Sequence, residues 1–440
     1  MLLESSLTRT DSMRLHHQIC QFAEQRNSVR FLQRAICLAL GWAIAVPCAV
    51  SAQECVYVLN QLDNSVVAVR RGTSLPFGKL SMPTDDCSEP PCHPMPTALE
   101  VKADASRAYV TRQDVNLVYV LDPVGGTVVD TVTIDSGALP AAASAAAALA
   151  PNGATLYVAN LATDSLSVID TATNDLVDTV DVSAPGMRTR PRAVAVTPDS
   201  STVFVGNSGT DTVTAIRASD RMILKTIAVG DGPAGIAVSP NGARVYVSNG
   251  NGGSVSVVDV ASLTATGTIT VGTSPRGVVF APNGALAFVT NVLGNGAGMG
   301  TVSVIDVASG AVAGNPIAVG GAPVAISITS DGALAYAANL MGNSLSVIDT
   351  GNRGVSPVEG LVGPFDVAVA GACPTAPPSC TGDCNGDGTV VVNEMISGVN
   401  IALGNQPASV CPAFDRNASG QVEINELIAA VGNVLNGCTG

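Results

Sequence analysis

The sequence predicts an all-β seven-bladed β-propeller followed by a small C-terminal α-helical domain. Three observations predict it. Seven phrases built on an aromatic-Val-x-Asn pattern and anchored on its aromatic recur at steps of 42–52 residues. Each unit alternates β-branched and small residues with period two and is bounded by Gly, Pro, Asn and Asp, which is strand and turn chemistry. After residue 371 the composition changes to two acidic twelve-residue loops, each followed by an apolar run of helical period.

Residues 1–52 stand apart. AICLALGWAIAVPCAVSA, residues 35–52, is apolar and ends in small residues, and Arg26, Arg30 and Arg34 precede it. This is the order of a secretory signal peptide, cleaved before Gln53. No later segment is apolar for long enough to span a bilayer, so no membrane span is expected after cleavage. The expected location is secreted or in the cell envelope. Without residues 1–52 the chain keeps 16 basic and 32 acidic side chains, a net charge of −16. That balance argues against nucleic acid as a partner. Eight cysteines also remain: Cys55, Cys87, Cys92, Cys373, Cys380, Cys384, Cys411 and Cys438. An even number in an exported chain suggests disulfides.

The repeats fill 53–371. Their aromatic anchors are Tyr57, Tyr109, Tyr157, Phe204, Tyr246, Phe288 and Tyr336. Asn60, Asn160, Asn207, Asn249, Asn291 and Asn339 stand three residues on, and Arg112 takes that place in the second repeat. A second strand such as SLSVID or SVSVVD follows each phrase. Units of this length hold four strands, and four-stranded units at this period read as propeller blades. Pro96, Pro140, Pro191, Pro233, Pro275, Pro323 and Pro364 are read as opening the innermost strands. The last opener, PFDVAV at 364–369, has no blade behind it, and CVYVLN at 55–60 has no opener before it. Pairing them closes the ring and removes a sheet edge. Cys55 and Cys373 flank that seam, which suggests a disulfide between them.

VYVSN, LAFVTN, the G-x-x-P step and SVSVID together resemble the YVTN family of β-propeller repeats. The resemblance implies the blade architecture and leaves activity open, because relatives of this fold include surface-layer components, propeller lactonases and cofactor-bearing dehydrogenases.

A linker at 372–382 leads to a domain at 383–440. DCNGDGTVVVNE places Asp383, Asn385, Asp387, the Thr389 carbonyl and Glu394 at positions 1, 3, 5, 7 and 12 of a calcium loop, with Gly388 at the sharp turn. Ca²⁺ takes six to eight hard oxygens, and alternate residues of a tight loop supply them. DRNASGQVEINE repeats the arrangement with Asp415, Asn417, Ser419, Gln421 and Glu426. Ser419 replaces a carboxylate, which predicts the weaker site. Val390 and Val422 share position 8, where apolar side chains can pair the loops. After the loops, Met395, Ile396, Val399 and Leu403 share one helical face, and Leu427, Ile428, Val431 and Leu435 share another. The duplication resembles dockerin type I modules and bacterial EF-hand pairs, which implies Ca²⁺ as the cofactor. Glu at position 12, where dockerins carry Asp, argues against cohesin binding. Cys380, Cys384, Cys411 and Cys438 are expected to staple this small domain in one of three pairings.

Catalytic signatures are sparse. Cys87, Cys92, His93 and Met95 make a stretched haem-like motif, read as a disulfide clip in a loop. Arg188, Arg190, Arg192 and Arg276 are the unusual charges, read first as a solvated, charge-balancing surface; Arg192 and Arg276 each follow an opening Pro, near a mouth of the central channel, where the alternative is an anion-binding site. The function expected from sequence is an exported, monomeric, non-catalytic scaffold that binds an unidentified protein or cell-surface ligand, with the calcium module for attachment. The alternatives are a lactonase-type hydrolase working through channel carboxylates and a haem-bearing redox subunit.

Overall fold

A computed structural model describes residues 54–72, 76–83, 95–123, 125–134, 144–294 and 299–371. In the C-terminal region it describes residues 381–382, 384, 390, 392–406, 411, 413–414, 421–422 and 424–436. The expected leader lies outside the described residues. Among them, no helix is long and apolar enough to cross a membrane.

The chain forms a seven-bladed β-propeller. Every blade is an antiparallel meander of four strands, and blade 6 adds a short fifth. Blade 1 takes its innermost strand, Pro364–Ala370, from the end of the repeat region and its other three, Cys55–Asn60, Ser65–Arg70 and Pro76–Ser81, from the beginning. Blades 2 to 7 open on inner strands Pro96–Val101, Ser144–Leu149, Pro191–Val196, Pro233–Val238, Thr273–Phe280 and Pro323–Ile328. Each inner strand packs against the next, and that of blade 7 packs against that of blade 1, which closes the ring.

The expected opener Pro140 needs correction. It lies outside the described residues, and the inner strand of blade 3 begins at Ser144 instead. Ser144 pairs with Asn160 as Pro191 pairs with Asn207. Its hydroxyl donates to the Arg112 carbonyl of blade 2 at 2.7 Å, a bond that no proline could make.

The anchors fill the spaces between blades. All seven are buried, and the apolar core divides into clusters that each join two neighbouring blades. Full burial of such a ring contributes roughly 1.5–3 kcal/mol. The Asn of each phrase has a different task. Asn249 Nδ2 donates to Ser254 Oγ and Ser256 Oγ, both at 3.0 Å. Asn160, Asn207, Asn291 and Asn339 make the same two bonds to hydroxyls on their third strands. This explains why a Ser or Thr pair, two residues apart, recurs in the strand that follows. It also explains the glycine of the G-x-x-P step: a side chain at Gly230 or Gly320 would collide with the amide of Asn249 or Asn339.

Blade 2 solves the same problem with other residues. Arg112 is wholly buried, and Tyr119 stands where the other blades carry a hydroxyl. Arg112 Nη1 donates to Tyr119 Oη at 2.8 Å and to the Pro83 carbonyl at 3.0 Å. Asp114 neutralises the guanidinium, as a buried cation requires.

The second-to-third-strand turns and the connections between blades share one end of the barrel, the end at which inner strands begin. Hydrogen bonds such as Gln61 N to Gly363 O and Gln113 N to Met95 O tie them together. This end is called the mouth below.

At the seam, Cys55 to Leu59 pair with Ala370 to Asp366, and Asn60 pairs with Pro364. Cys55 is disulfide-bonded, with a partner outside the described residues. Arg71 clasps Glu54 and Asp331, so blade 1 is also held to blade 7. Ending the chain at Gly363 removes the inner strand of blade 1 and bares a sheet edge. We expect aggregation or a melting temperature lowered by 10 °C or more, in order of magnitude. A truncated protein that stays soluble and melts like the full chain would show that the seam contributes little.

Candidate functional site: the central channel

The inner strands share one irregularity. In every blade the register with the second strand slips just after the opening residue. The slipped residue is an extra one, a β-bulge, which bends the strand and re-aims its side chain. Proline suits the position before it, where a strand can start without a donor. The bulged residues are Phe365, Thr97, Ala145, Arg192, Ala234, Arg276 and Val324, and all seven line a cavity of about 590 Å³. Gln113 and Leu161, from turns at the mouth, also line it.

Arg192 and Arg276 therefore enter the channel from blades 4 and 6. Burial lowers the pKa of both guanidinium groups. Arg276 is brought down to about 10, first by burial and then by the charge of Arg192, so the two cations share one space. Neither is ion-paired among the described residues. Arg188 and Arg190 lie elsewhere, with exposed side chains. Arg188 Nε pairs with Asp164 at 2.6 Å, and the Arg190 amide donates to the same carboxylate at 2.8 Å.

Two carboxylates in this channel escaped sequence reading, Glu100 of blade 2 and Asp366 of blade 1. The residue two places after the opener is Ala98, Ala146, Ala193, Gly235, Gly277 or Ala325 in the other blades, and Asp366 in blade 1. Small residues are needed there because neighbouring inner strands nearly touch. A side chain on Gly235 would strike the Arg276 carbonyl, and one on Gly277 would strike Ala325. Asp366 instead reaches across to the next blade, where it accepts from the Leu99 amide at 2.8 Å, and it also accepts from its neighbour Val367. Glu100 sits four places after its opener, where other blades carry Ala, Val or Ser, and accepts from the Leu149 amide of blade 3. Aligning the repeats on their openers would have exposed both.

Both residues are partly exposed by area, through the channel lumen, yet their carboxyls are surrounded by protein atoms. Desolvation raises their pKa, to about 8 for Glu100 and about 6 for Asp366. The Asp366 charge raises Glu100 further, and the two amides partly offset the rise at Asp366. Burial thus favours the protonated form of both acids, and of Glu100 the more strongly. The channel offers two cations and two carboxyl groups around one cavity.

The haem-like motif has Cys87, Cys92 and His93 outside the described residues, and Met95 is exposed at the mouth. Of the calcium loops, Asp383, Asn385, Asp387, Thr389, Asp415, Asn417 and Ser419 are also outside them, as are Cys373, Cys380 and Cys438. Glu394 and Glu426 are buried, Gln421 is exposed, and Glu394 Oε1 accepts from the Cys384 amide at 2.9 Å. Cys384 is bonded to Cys411. Two helices follow the loops, α1 (Val392–Ala402) and α2 (Ile424–Asn436). Each expected apolar face is buried only in part. Ile401, Phe414, Val422, Ala430 and Cys411 form the core, with Met395 and Leu427 against it. Ile396, Val399, Leu403, Ile428 and Val431 are exposed. Phe414 decides this, because it packs on Gly398, where no side chain would fit.

A family model described as "Lactonase, 7-bladed beta-propeller" matches residues 96–228, from the inner strand of blade 2 to the outer strand of blade 4. No curated protein is significantly similar in sequence. Among solved structures, a candidate 6-phosphogluconolactonase from Bacteroides uniformis superposes with a TM-score of 0.59 at 17% identity, over 72% of this chain and 100% of that one. A second candidate 6-phosphogluconolactonase, from Bacteroides fragilis, gives 0.57 at 17% identity, over 74% and 99%. Hydrazine synthase of Kuenenia stuttgartiensis is 26% identical over 48% of this chain, which spans only 64% of that one at a TM-score of 0.44. The two Bacteroides likenesses speak to fold alone.

The channel acids make stability depend on pH. Each has a folded pKa above its unfolded value near 4. The folded state therefore holds their protons more tightly, and their contribution is full below about pH 4. For Glu100 it is lost as pH rises towards 8. Glu100→Gln removes that loss. The variant is expected to melt like the parent at pH 4 and a few degrees higher at pH 9. Equal melting temperatures at both pH values would show that Glu100 titrates normally.

Proposed function

We propose that the chain is an exported lactonase-type hydrolase that works in its propeller channel. One observation carries the reading: Arg192 and Arg276, without ion-pair partners among the described residues, face the same cavity as a pair of carboxyl groups whose pKa values are raised. Ionised Asp366 takes a proton from water as its oxygen bonds to the lactone carbonyl carbon. The arginines stabilise the oxyanion that forms. The ring C–O bond then breaks, and the Glu100 proton passes to the departing oxygen. The propeller lactonase match over residues 96–228 supports the reaction class.

A second reading, binding without turnover, has its own support. Asp366 already accepts two backbone amides, which is the work of a structural carboxylate. It corresponds to the scaffold expected from sequence.

We further propose that the C-terminal loops form an EF-hand-like pair that binds Ca²⁺. Glu394 and Glu426, the position-12 ligands, both turn inward, as a bidentate ligand must. Export is consistent with the Cys384–Cys411 disulfide.

Turnover of a panel of γ- and δ-lactones separates the two channel readings. The hydrolase should give a bell-shaped kcat/KM profile, rising with apparent pKa near 6 and falling near 8, set by the pair jointly. Arg276→Ala and Asp366→Asn should each lower kcat/KM by about 100-fold or more. Absence of turnover across the panel, with anions still bound, would establish the binding reading instead. For the metal, calorimetric titration of the full-length protein with Ca²⁺ should release chelator-reversible heat, reduced by Asp383→Ala. A hundredfold excess over Kd stabilises the module by about 2.7 kcal/mol. No heat and no chelator-sensitive melting would mean the loops are relics.

A further inference from the structure

The mouth is not uniform. Over blades 2 to 4 its turns carry Asp114, Asp164 and Asp211, each engaged: Asp114 with Arg112, Asp164 with Arg188, and Asp211 accepting from the Gly232 amide. Over blades 6, 7, 1 and the connection to blade 2 the residues change character. Leu293 and Met299 stand on blade 6, Met341 on blade 7, Val362 on the connection to blade 1, Leu62 on blade 1 and Met95 on the connection to blade 2. All six are exposed, Met341 at 80% and Leu62 at 69%. The turn Leu340–Asn343 and the connection Val319–Ala322 hold no charge. Asp63, the one charge in the blade 1 turn, is neutralised by Lys79 at 2.9 Å. Three of the six are methionines, and flexible, polarisable methionines suit apolar ligands of variable shape.

These residues occupy consecutive blades, so they form a crescent along one side of the mouth. Inside the mouth lie the cations Arg192 and Arg276, in a cavity sized for a small head group. Among the described residues of these connections Glu359 is also exposed, three residues before Val362, and exposed apolar side chains grouped around a channel mouth mark ligand sites.

We infer that the channel takes an amphiphilic anion, with its carboxylate on Arg192 and Arg276 and its alkyl chain along the crescent from Leu293 to Met95. The inference rests on the hydrolase reading to this extent: the substrate becomes a lactone bearing an alkyl tail, and the product a hydroxycarboxylate whose new charge meets the arginines. Charge complementarity fixes the head group, and the one-sided crescent fixes the direction of the tail.

The test is calorimetric binding of acetate, hexanoate, decanoate and decanol to the full-length protein, with hydrolysis of γ-butyrolactone and γ-decanolactone measured alongside. Each buried methylene should tighten binding about fourfold, so decanoate is expected to bind at least about 100-fold more tightly than acetate. Decanol should bind far more weakly than decanoate, and Arg276→Ala should erase that difference. Leu62→Ser with Met341→Ser should shrink the decanoate-to-acetate ratio by about tenfold. Affinity independent of chain length would overturn the inference, and hydrolysis of both lactones at equal kcat/KM would do so while sparing the hydrolase. Chain-length-dependent binding without lactone turnover would leave the inference standing and remove the hydrolase. Sedimentation velocity provides a further check: a dimer that Leu62→Glu dissociates would assign the crescent to a second copy of the chain, and the inference would fall.

Discussion

Seven inner strands converge on one axis, and their crowding governs what each may carry. Neighbouring strands approach so closely that a methyl group at Gly235 has no room beside the Arg276 carbonyl. Small side chains are the general answer. The bulge after each opener is the relief from this constraint, since an extra residue swings out of the packed layer and into the lumen. Arg192 and Arg276 use the bulge, while Asp366 and Glu100 occupy small-residue slots and fit by engaging an amide of the next blade. The same amides that make room for the acids also hold them in place. Their chemistry and their structural role cannot be varied separately.

The outer part of each blade obeys a looser rule. Its turn is held by a buried polar contact between the end of the second strand and the third, and the contact matters more than the residues that make it. Five blades use Asn with two hydroxyls, and blade 2 uses Arg with a phenol. Arg112 needs Asp114 as well, because an unneutralised guanidinium at zero exposure would cost several kcal/mol. Exchanging Asn for Arg alone in another blade would leave that charge without its partners.

These two regimes explain how much was legible in the sequence. Anchors, Asn and hydroxyl pairs obey short-range spacing, so the blades, their number and the closing strand could be read directly. The channel could be read only in part. Arg192 and Arg276 announce themselves by charge beside a proline. Asp366 and Glu100 sit at different offsets, two and four places after their openers, so each stands out only when the repeats are aligned on those openers, and their sharing of one cavity appears only in three dimensions. Ser144 was missed because the strand opener was identified by proline, whereas the position demands only a residue that needs no ladder partner. In the C-terminal helices the apolar positions were too many for one face. Periodicity alone could not say whether Ile396 or Ile401 turns inward, and Phe414, which decides it, lies outside both helices.

The seam has a mechanical meaning. The first strand of blade 1 begins at Cys55 and its inner partner ends at Ala370, side by side. A force drawing the chain beyond Ala370 away from the propeller would open this pair like a zip, one hydrogen bond at a time. That geometry yields at far lower tension than shear, in which all the bonds share the load. The disulfide at Cys55 stands where the zip would start.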